Sequence, residues 1–381
     1  MFKISTFSVA ATALQLFCAI GFAQQDPTDK LEKVLAEICR EKKVPALAVA
    51  VVRPNEIVAT ACSGIRKLGA NSAVELSDRF PLGSNTKSMT ATLAAILVEA
   101  GEIEWTTTVS EVWSTAGEKH LHPSLRDVTL EELLSHQSGL QSDLGGKDWI
   151  GFFDEENSPT RERQRMLKLI MKKKPKHAHR KFTYSNLGYV VAAAMLEKQT
   201  GESYEALMHQ KVFKPLKMES ADFRTMTTAK NLKEPLLWGH TGDKQQPMDP
   251  RIAGAENPSV YAPCGTVNVT IEDYAKYAQW HLREEPAPLL SDRKTLDRIH
   301  SGIVDAPSIG GKYGGGWIHL DMGFGRVMNH VGSNTNSFAV IWVFPDSDFA
   351  AIACTNTGAQ SGFLACDKAI EHLMKTYMTD Q

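Results

Sequence analysis

Ser84-Asn85-Thr86-Lys87 sets a hydroxyl and an ammonium three residues apart, a spacing that on a helix puts both side chains on one face. A serine hydroxyl is a weak nucleophile at neutral pH and requires an adjacent base or cation. Gly83 permits a tight entry turn. Ser84 at the start of a helix would then lie beside free backbone N–H groups, which favour developing negative charge. A serine in that place is equally an ordinary N-cap, and Ser291-Asp292-Arg293-Lys294 repeats the spacing in a polar segment. The pair implies nucleophilic catalysis only if further groups converge on it.

Two more clusters supply such groups. Tyr184-Ser185-Asn186 precedes a helical run; a phenol beside an ammonium is a candidate proton acceptor, and an asparagine amide can hold both a lysine and a substrate carbonyl or amide. On its own this tripeptide is also a turn with an asparagine cap. Two H-x-G segments are candidates, His240-Thr241-Gly242 in a long loop and His330-Val331-Gly332 at the end of a strand-like run. A strand edge presents a side chain and a backbone N–H at fixed positions, which a polar loop does poorly, so His330 is expected at the site and His240 at most in the cleft wall. His136 could complete a Ser-His-Asp arrangement with Ser84, but Lys87 already fills the base position at the right spacing.

The elements that must position these residues can be outlined from periodicity. Asp29–Lys43 has apolar residues at helical spacing and stops before Pro45. Ala46–Val52 and Ile57–Cys62 read as strands covered on both faces. Helices are expected at Ser84–Ala100, closed by Gly101, and at Leu130–Leu134, Leu187–Thr200 and Ser203–Val212. Residues 224–264 look loop-like, rich in Pro, Gly and Asn, and so long a loop is often functional. Strands return at Gly316–Leu320, Arg326–His330, Phe338–Phe344 and Phe349–Cys354, before a last helix at Phe363–Met378. The expected fold is α/β in the α+β sense: an antiparallel sheet built from both termini (residues 24–79 and 306–381), flanked by helices, with an inserted, mainly helical subdomain over 80–305. A site is expected in the cleft between the two parts.

The ordered trio S-x-x-K, Y-S-N and H-x-G resembles the serine β-lactamase and penicillin-binding-protein superfamily, in its class C-like branch of DD-peptidases and esterases. Phe80-Pro81-Leu82-Gly83, the segment Leu133–Leu140, Gly201 with Ser203-Tyr204, Pro215–Met218 and Ala262–Gly265 with Thr270 and Asp273 are similar to further landmarks of that family. The resemblance implies a β-lactamase/transpeptidase-like fold and an acyl-enzyme on Ser84. Lys87 and Tyr184 would share the proton traffic, either being the base, and Asn186 would orient Lys87 and a substrate amide. The backbone N–H groups of Ser84 and Ser333, just after Gly332, would form the oxyanion hole, with His330, Gly332 and Ser333 on the substrate side. His330 stands where the true class C enzymes carry the lysine of K-T-G, and a histidine is only partly protonated near neutrality; strong β-lactamase activity is not expected. Ser333–Phe338 also lacks the family's T-P-G-F.

Composition narrows the class. With 381 residues, a formal charge of -2 and 23% charged residues, the surface is ordinary, and basic residues spread among acids do not suggest nucleic-acid binding. Lys3, an apolar run over Thr6–Phe22 and the small-x-small Gly21-Phe22-Ala23 lay out a signal peptide over residues 1–23, implying a secreted or periplasmic protein with no stable membrane insertion after cleavage. Of six cysteines, Cys18 lies in this segment; Cys39, Cys62, Cys264, Cys354 and Cys366 show no metal-type spacing, and an odd number leaves at least one thiol unpaired. No metal or cofactor is expected, since HExxH, a phosphate loop and a carboxylate cluster are all lacking. The expected partner is a small-molecule, peptide or ester substrate, and oligomeric state is not legible. The rival class is a catalytically silent protein holding a cell-wall peptide in the same cleft.

Overall fold

The computed structural model describes residues 27–113, 121–153, 157–223, 230–323 and 325–378. The expected signal peptide and Cys18 lie outside them. Among the described residues no helix is long and apolar enough to cross a membrane.

The chain runs α1 (Pro27–Lys42), β1 (Ala46–Val52), β2 (Ile57–Gly64), then a mainly helical stretch containing α2 (Thr86–Glu99), α3 (Asn186–Thr200) and α4 (Ile271–Arg283). It returns through β3 (Val304–Ala306), β4 (Gly311–Gly314), β5 (Trp317–Asp321), β6 (Arg326–Ser333), β7 (Phe338–Phe344) and β8 (Phe349–Thr355), and closes with α5 (Gln360–Leu373). The eight strands form one antiparallel sheet in the order β2-β1-β8-β7-β6-β5-β4-β3. The first strands therefore join the last, as expected from strand-rich ends around a helical middle.

Every residue of β1, β7 and β8 is buried, because both faces of the sheet are covered. Leu47, Val49 and Val51 pack with Trp342 and Phe344 under α1 and α5. Ala48, Ala50, Ile341 and Ile352 face the helical side, where one continuous apolar core extends through α2, α3 and α4. The short side chains on this face let α4 lie against β1 and β8. That contact makes α4 a layer on the sheet, although it falls inside the stretch expected to be the inserted subdomain. Thr90 Oγ1 donates to the Pro263 carbonyl at 2.6 Å and lies 2.7 Å from Tyr204 Oη, so α2, buried all round, keeps its polar positions satisfied.

Several boundaries differ from expectation. β6 runs to Ser333, bringing Gly332 and Ser333 into the ladder opposite Ala339 and Phe338. β3 and β4 extend the sheet edge through a glycine-rich segment without clear alternation. The expected helix at Ser84 begins as a 3-10 turn at Gly83–Asn85 and becomes α-helical at Thr86. Within the expected loop, Gly239–Thr241 pairs with Gln246–Met248 as a hairpin; residues 224–229 lie outside the described residues.

Candidate active site

Ser84 sits in the 3-10 turn that feeds α2, and Lys87 lies in the first turn of that helix. Lys87 is fully buried. Its Nζ is 3.0 Å from Ser84 Oγ and donates to the Cys264 carbonyl at 2.8 Å. The ring of Tyr184 lies 4.9 Å from the ammonium and that of Tyr189 5.5 Å. Among the described residues no carboxylate is bonded to Lys87, and carbonyl and ring electrons stand around the cation. The spacing thus produces contact in this instance. The decoy Ser291 instead bonds Glu99 through both its N–H and its hydroxyl, and Asp292 caps the next helix.

β6 is pressed against the Ser84 turn by two glycines. A Cβ on Gly83, whose φ is +53°, would lie 2.5 Å from the backbone of Ser333. A Cβ on Gly332 would lie 2.0 Å from the Leu82 carbonyl oxygen and 2.8 Å from the Ser84 nitrogen. Such distances are possible only without side chains, and they bring the Ser84 and Ser333 backbones to one edge of the cleft. Gly332→Ala is expected to slow covalent labelling of Ser84 at least about 100-fold, because a shift near 1 Å suffices for such a loss. A mass-spectrometric time course would check this, and a rate within about threefold of the unmodified protein would contradict it.

Ser84 opens onto a cleft of about 380 Å³, lined also by Asp143, Trp149, Asn186, Asn257, Tyr261, Cys264 and Ser333. Asn186 begins α3; its Nδ2 donates to Asp143 Oδ1 at 2.8 Å, while its buried Oδ1 has no partner. The amide is therefore oriented by Asp143 rather than by the expected bond to Lys87. His136 accepts the Ser185 N–H on Nδ1 at 3.0 Å and packs 4.3 Å from the Tyr184 ring. It fixes the backbone on which Tyr184 and Asn186 stand. Burial, then the Lys87 charge, holds its pKa well below the ordinary histidine value.

His330 is buried, and its Nδ1–H donates to the Val331 carbonyl at 3.0 Å. Burial first, and the Lys87 charge second, push its pKa down to about 3. The ring is neutral across the physiological range, where partial protonation was expected. His240, expected at most in the cleft wall, is instead a buried pin: Nε2 accepts from the Leu68 N–H at 3.1 Å and Nδ1 donates to the Asn356 carbonyl at 2.8 Å.

His330, His300 and His319 have folded-state pKa values of about 3, 3 and 4, each lowered chiefly by burial. Between the ordinary value near 6.5 and these values the unfolded chain binds more protons than the folded one. Stability is therefore fully present above that value and falls as the pH drops, by roughly 1.4 kcal/mol per pH unit for each histidine. The urea midpoint should decline from pH 6.5 to pH 4.5 and stay level from pH 7 to 8; a flat profile throughout would contradict the assignment.

Asp143, Trp149, Tyr261 and Asn257 are the site residues that motif spacing does not reveal. Asp143 follows the Leu133–Leu140 segment by three residues, the one local signal for it. All five described cysteines are free thiols. Burial raises Cys39 and Cys264 to about 12, so neither competes with Ser84 as a nucleophile. Among the described residues no His/Cys/Asp/Glu group could hold a metal ion.

The family model described as Beta-lactamase matches residues 29–373. The chain is 27% identical over 336 residues to penicillin-binding protein 4 of Amycolatopsis lactamdurans, covering 85% of this chain and 84% of that protein. It is 26% identical over 329 residues to a beta-lactamase of Escherichia coli K12, covering 84% and 77%. Its fold is similar to that of the octameric penicillin-binding protein homologue from Pyrococcus abyssi, with a TM-score of 0.72, 21% identity and coverage of 93% and 79%.

Proposed function

From the premise that this chain belongs to the beta-lactamase family, we propose that it is an exported serine hydrolase forming an acyl-enzyme at Ser84 on an ester, amide or lactam. The observation that carries this is the 3.0 Å contact of Ser84 Oγ with Lys87 Nζ at the floor of an open cleft. Ser84 Oγ attacks the carbonyl carbon as its proton is taken up through the Lys87–Tyr184 pair, either of which can be the base. The oxygen of the tetrahedral adduct faces the backbone N–H groups of Ser84 and Ser333, which need no reorganisation. The bond to the leaving group breaks as that group takes the proton. A water molecule then attacks the acyl-enzyme carbonyl, restoring Ser84 and releasing the acid. Asn186 holds the amide on the acyl side of the donor.

Neutral His330 gives a substrate carboxylate no cation at this edge of the cleft, which supports esters and simple amides over β-lactams and D-Ala-D-Ala peptides. The test is intact-protein mass spectrometry with a fluorophosphonate, the adduct mapped by digestion, followed by turnover of p-nitrophenyl butyrate, nitrocefin and a D-Ala-D-Ala peptide. An adduct on Ser84 with ester turnover above the other two is expected. No adduct and no turnover, with tight peptide binding that survives Ser84→Ala, would assign the cleft to binding instead.

A further inference from the structure

The proposed role of Ser84 leaves the charge of its substrate open, and the cleft wall bears on it. Asp143 is the sole ionisable acid or base among the described side chains lining the cleft apart from tyrosine, cysteine and the serines. Lys87 lies beneath the floor, buried and engaged by Ser84 and Cys264. His330 is neutral. Asp143 accepts hydrogen bonds from Asn186 Nδ2 at 2.8 Å and from Ser142 Oγ at 2.6 Å. Among the described side chains no cation is bonded to it. Its carboxylate retains further acceptor positions. Beside it the rings of Trp149 and Tyr261 stand edge-to-face, 4.7 Å apart, and both line the same cleft. A carboxylate flanked by aromatic rings attracts a cation and repels an anion.

Resting on Ser84 as the nucleophile, we propose that this cleft selects acyl donors bearing an ammonium group on the acyl side, with Asp143 as its counter-ion: amino-acyl esters and amides with a free amine. Asn186 fixes the geometry. It faces the acyl side of the donor and is one hydrogen bond from Asp143, so the carboxylate stands just beyond the amide or amine that Asn186 meets. A donor with an acyl-side carboxylate would meet Asp143 as a like charge, with no cation among the described lining residues to offset it.

Three isosteric methyl esters test the assignment: phenylalanine methyl ester in both configurations, its analogue with methyl replacing the ammonium, and the half-ester of benzylmalonate. The unmodified protein is expected to turn over the ammonium ester with a kcat/KM about tenfold or more above the methyl analogue, since charge-assisted hydrogen bonds have that worth. The carboxylate ester should be slowest. Asp143→Asn should bring the ammonium-to-methyl ratio towards one, and Asp143→Glu should restore part of it. The ratio cancels any general loss through Asn186. Ester turnover with a ratio near one in the unmodified protein, or a ratio that survives Asp143→Asn, overturns the inference while Ser84 keeps its role. Absence of both Ser84 labelling and ester turnover overturns the two together.

Discussion

A Ser84→Ala protein is expected to form no fluorophosphonate adduct and to lose roughly 10⁴–10⁶ of kcat on any ester the unmodified protein turns over. The size follows from what the hydroxyl does: without it no covalent bond forms, and only the backbone donors and binding remain. Lys87→Met should cost nearly as much, and the double variant little more, because residues acting as one unit are not additive. Ser84→Ala should fold normally. Among the described residues the hydroxyl's partner is Lys87 Nζ, which keeps the Cys264 carbonyl. Thermal unfolding of the variant alongside the rate measurement separates lost chemistry from lost structure. An adduct that still forms in Ser84→Ala would move the nucleophile elsewhere.

The largest expected effect on stability lies away from the cleft. Arg163 is fully buried, with Nη2 2.5 Å from Glu197 and Nη1 2.7 Å from Glu205. Glu197 also accepts from Thr160 Oγ1 at 2.8 Å and from the Tyr204 N–H at 3.0 Å. The cluster joins three helical segments around a single guanidinium. Arg163→Met leaves two carboxylates without their cation, and breaking such a buried pair costs about 3–5 kcal/mol. The melting temperature should fall on the order of 5–15 °C. Adding Glu197→Gln and Glu205→Gln removes the stranded charges and should recover part of the loss. A single variant as stable as the unmodified protein would show the cluster to be energetically idle.

The parts of this site that could be read from sequence are those encoded over short spans. Ser84 and Lys87 share one turn, Tyr184 and Asn186 one tripeptide, and His330 to Ser333 one strand end. Their mutual approach was legible only through their order along a resembling scaffold, because no local rule fixes the distance from residue 84 to 184 or 330. The environment of each group was less accessible. Partial protonation is the natural expectation for His330, and its burial within β6, with the Lys87 charge nearby, makes it neutral. Asn186 looked like a partner for Lys87, but Asp143, brought in from another loop, takes its amide. His240 sits in a polar, turn-rich segment, yet the hairpin around it carries it into a buried contact with Leu68 and Asn356. Strand β6 was foreseen too short because Gly332 and Ser333 do not look like strand residues; their place follows from the backbone they must touch.

The sheet order has a consequence for how the protein is made. β1 pairs with β8, Leu47 opposite Thr355 and Val52 opposite Ala350, so a strand synthesised near the start waits for one near the end. Until then Ala46–Val52, seven apolar residues without a charge or proline, is an unpaired edge of the kind that recruits other chains. Native closure of the sheet is a late, long-range event with a slow intrinsic rate. The sheet therefore cannot close until β8 has been synthesised, and until then the open β1 edge is exposed to association with other chains. A chain ending before Phe349 would leave β1 and β7 without their shared neighbour and should be recovered as aggregate.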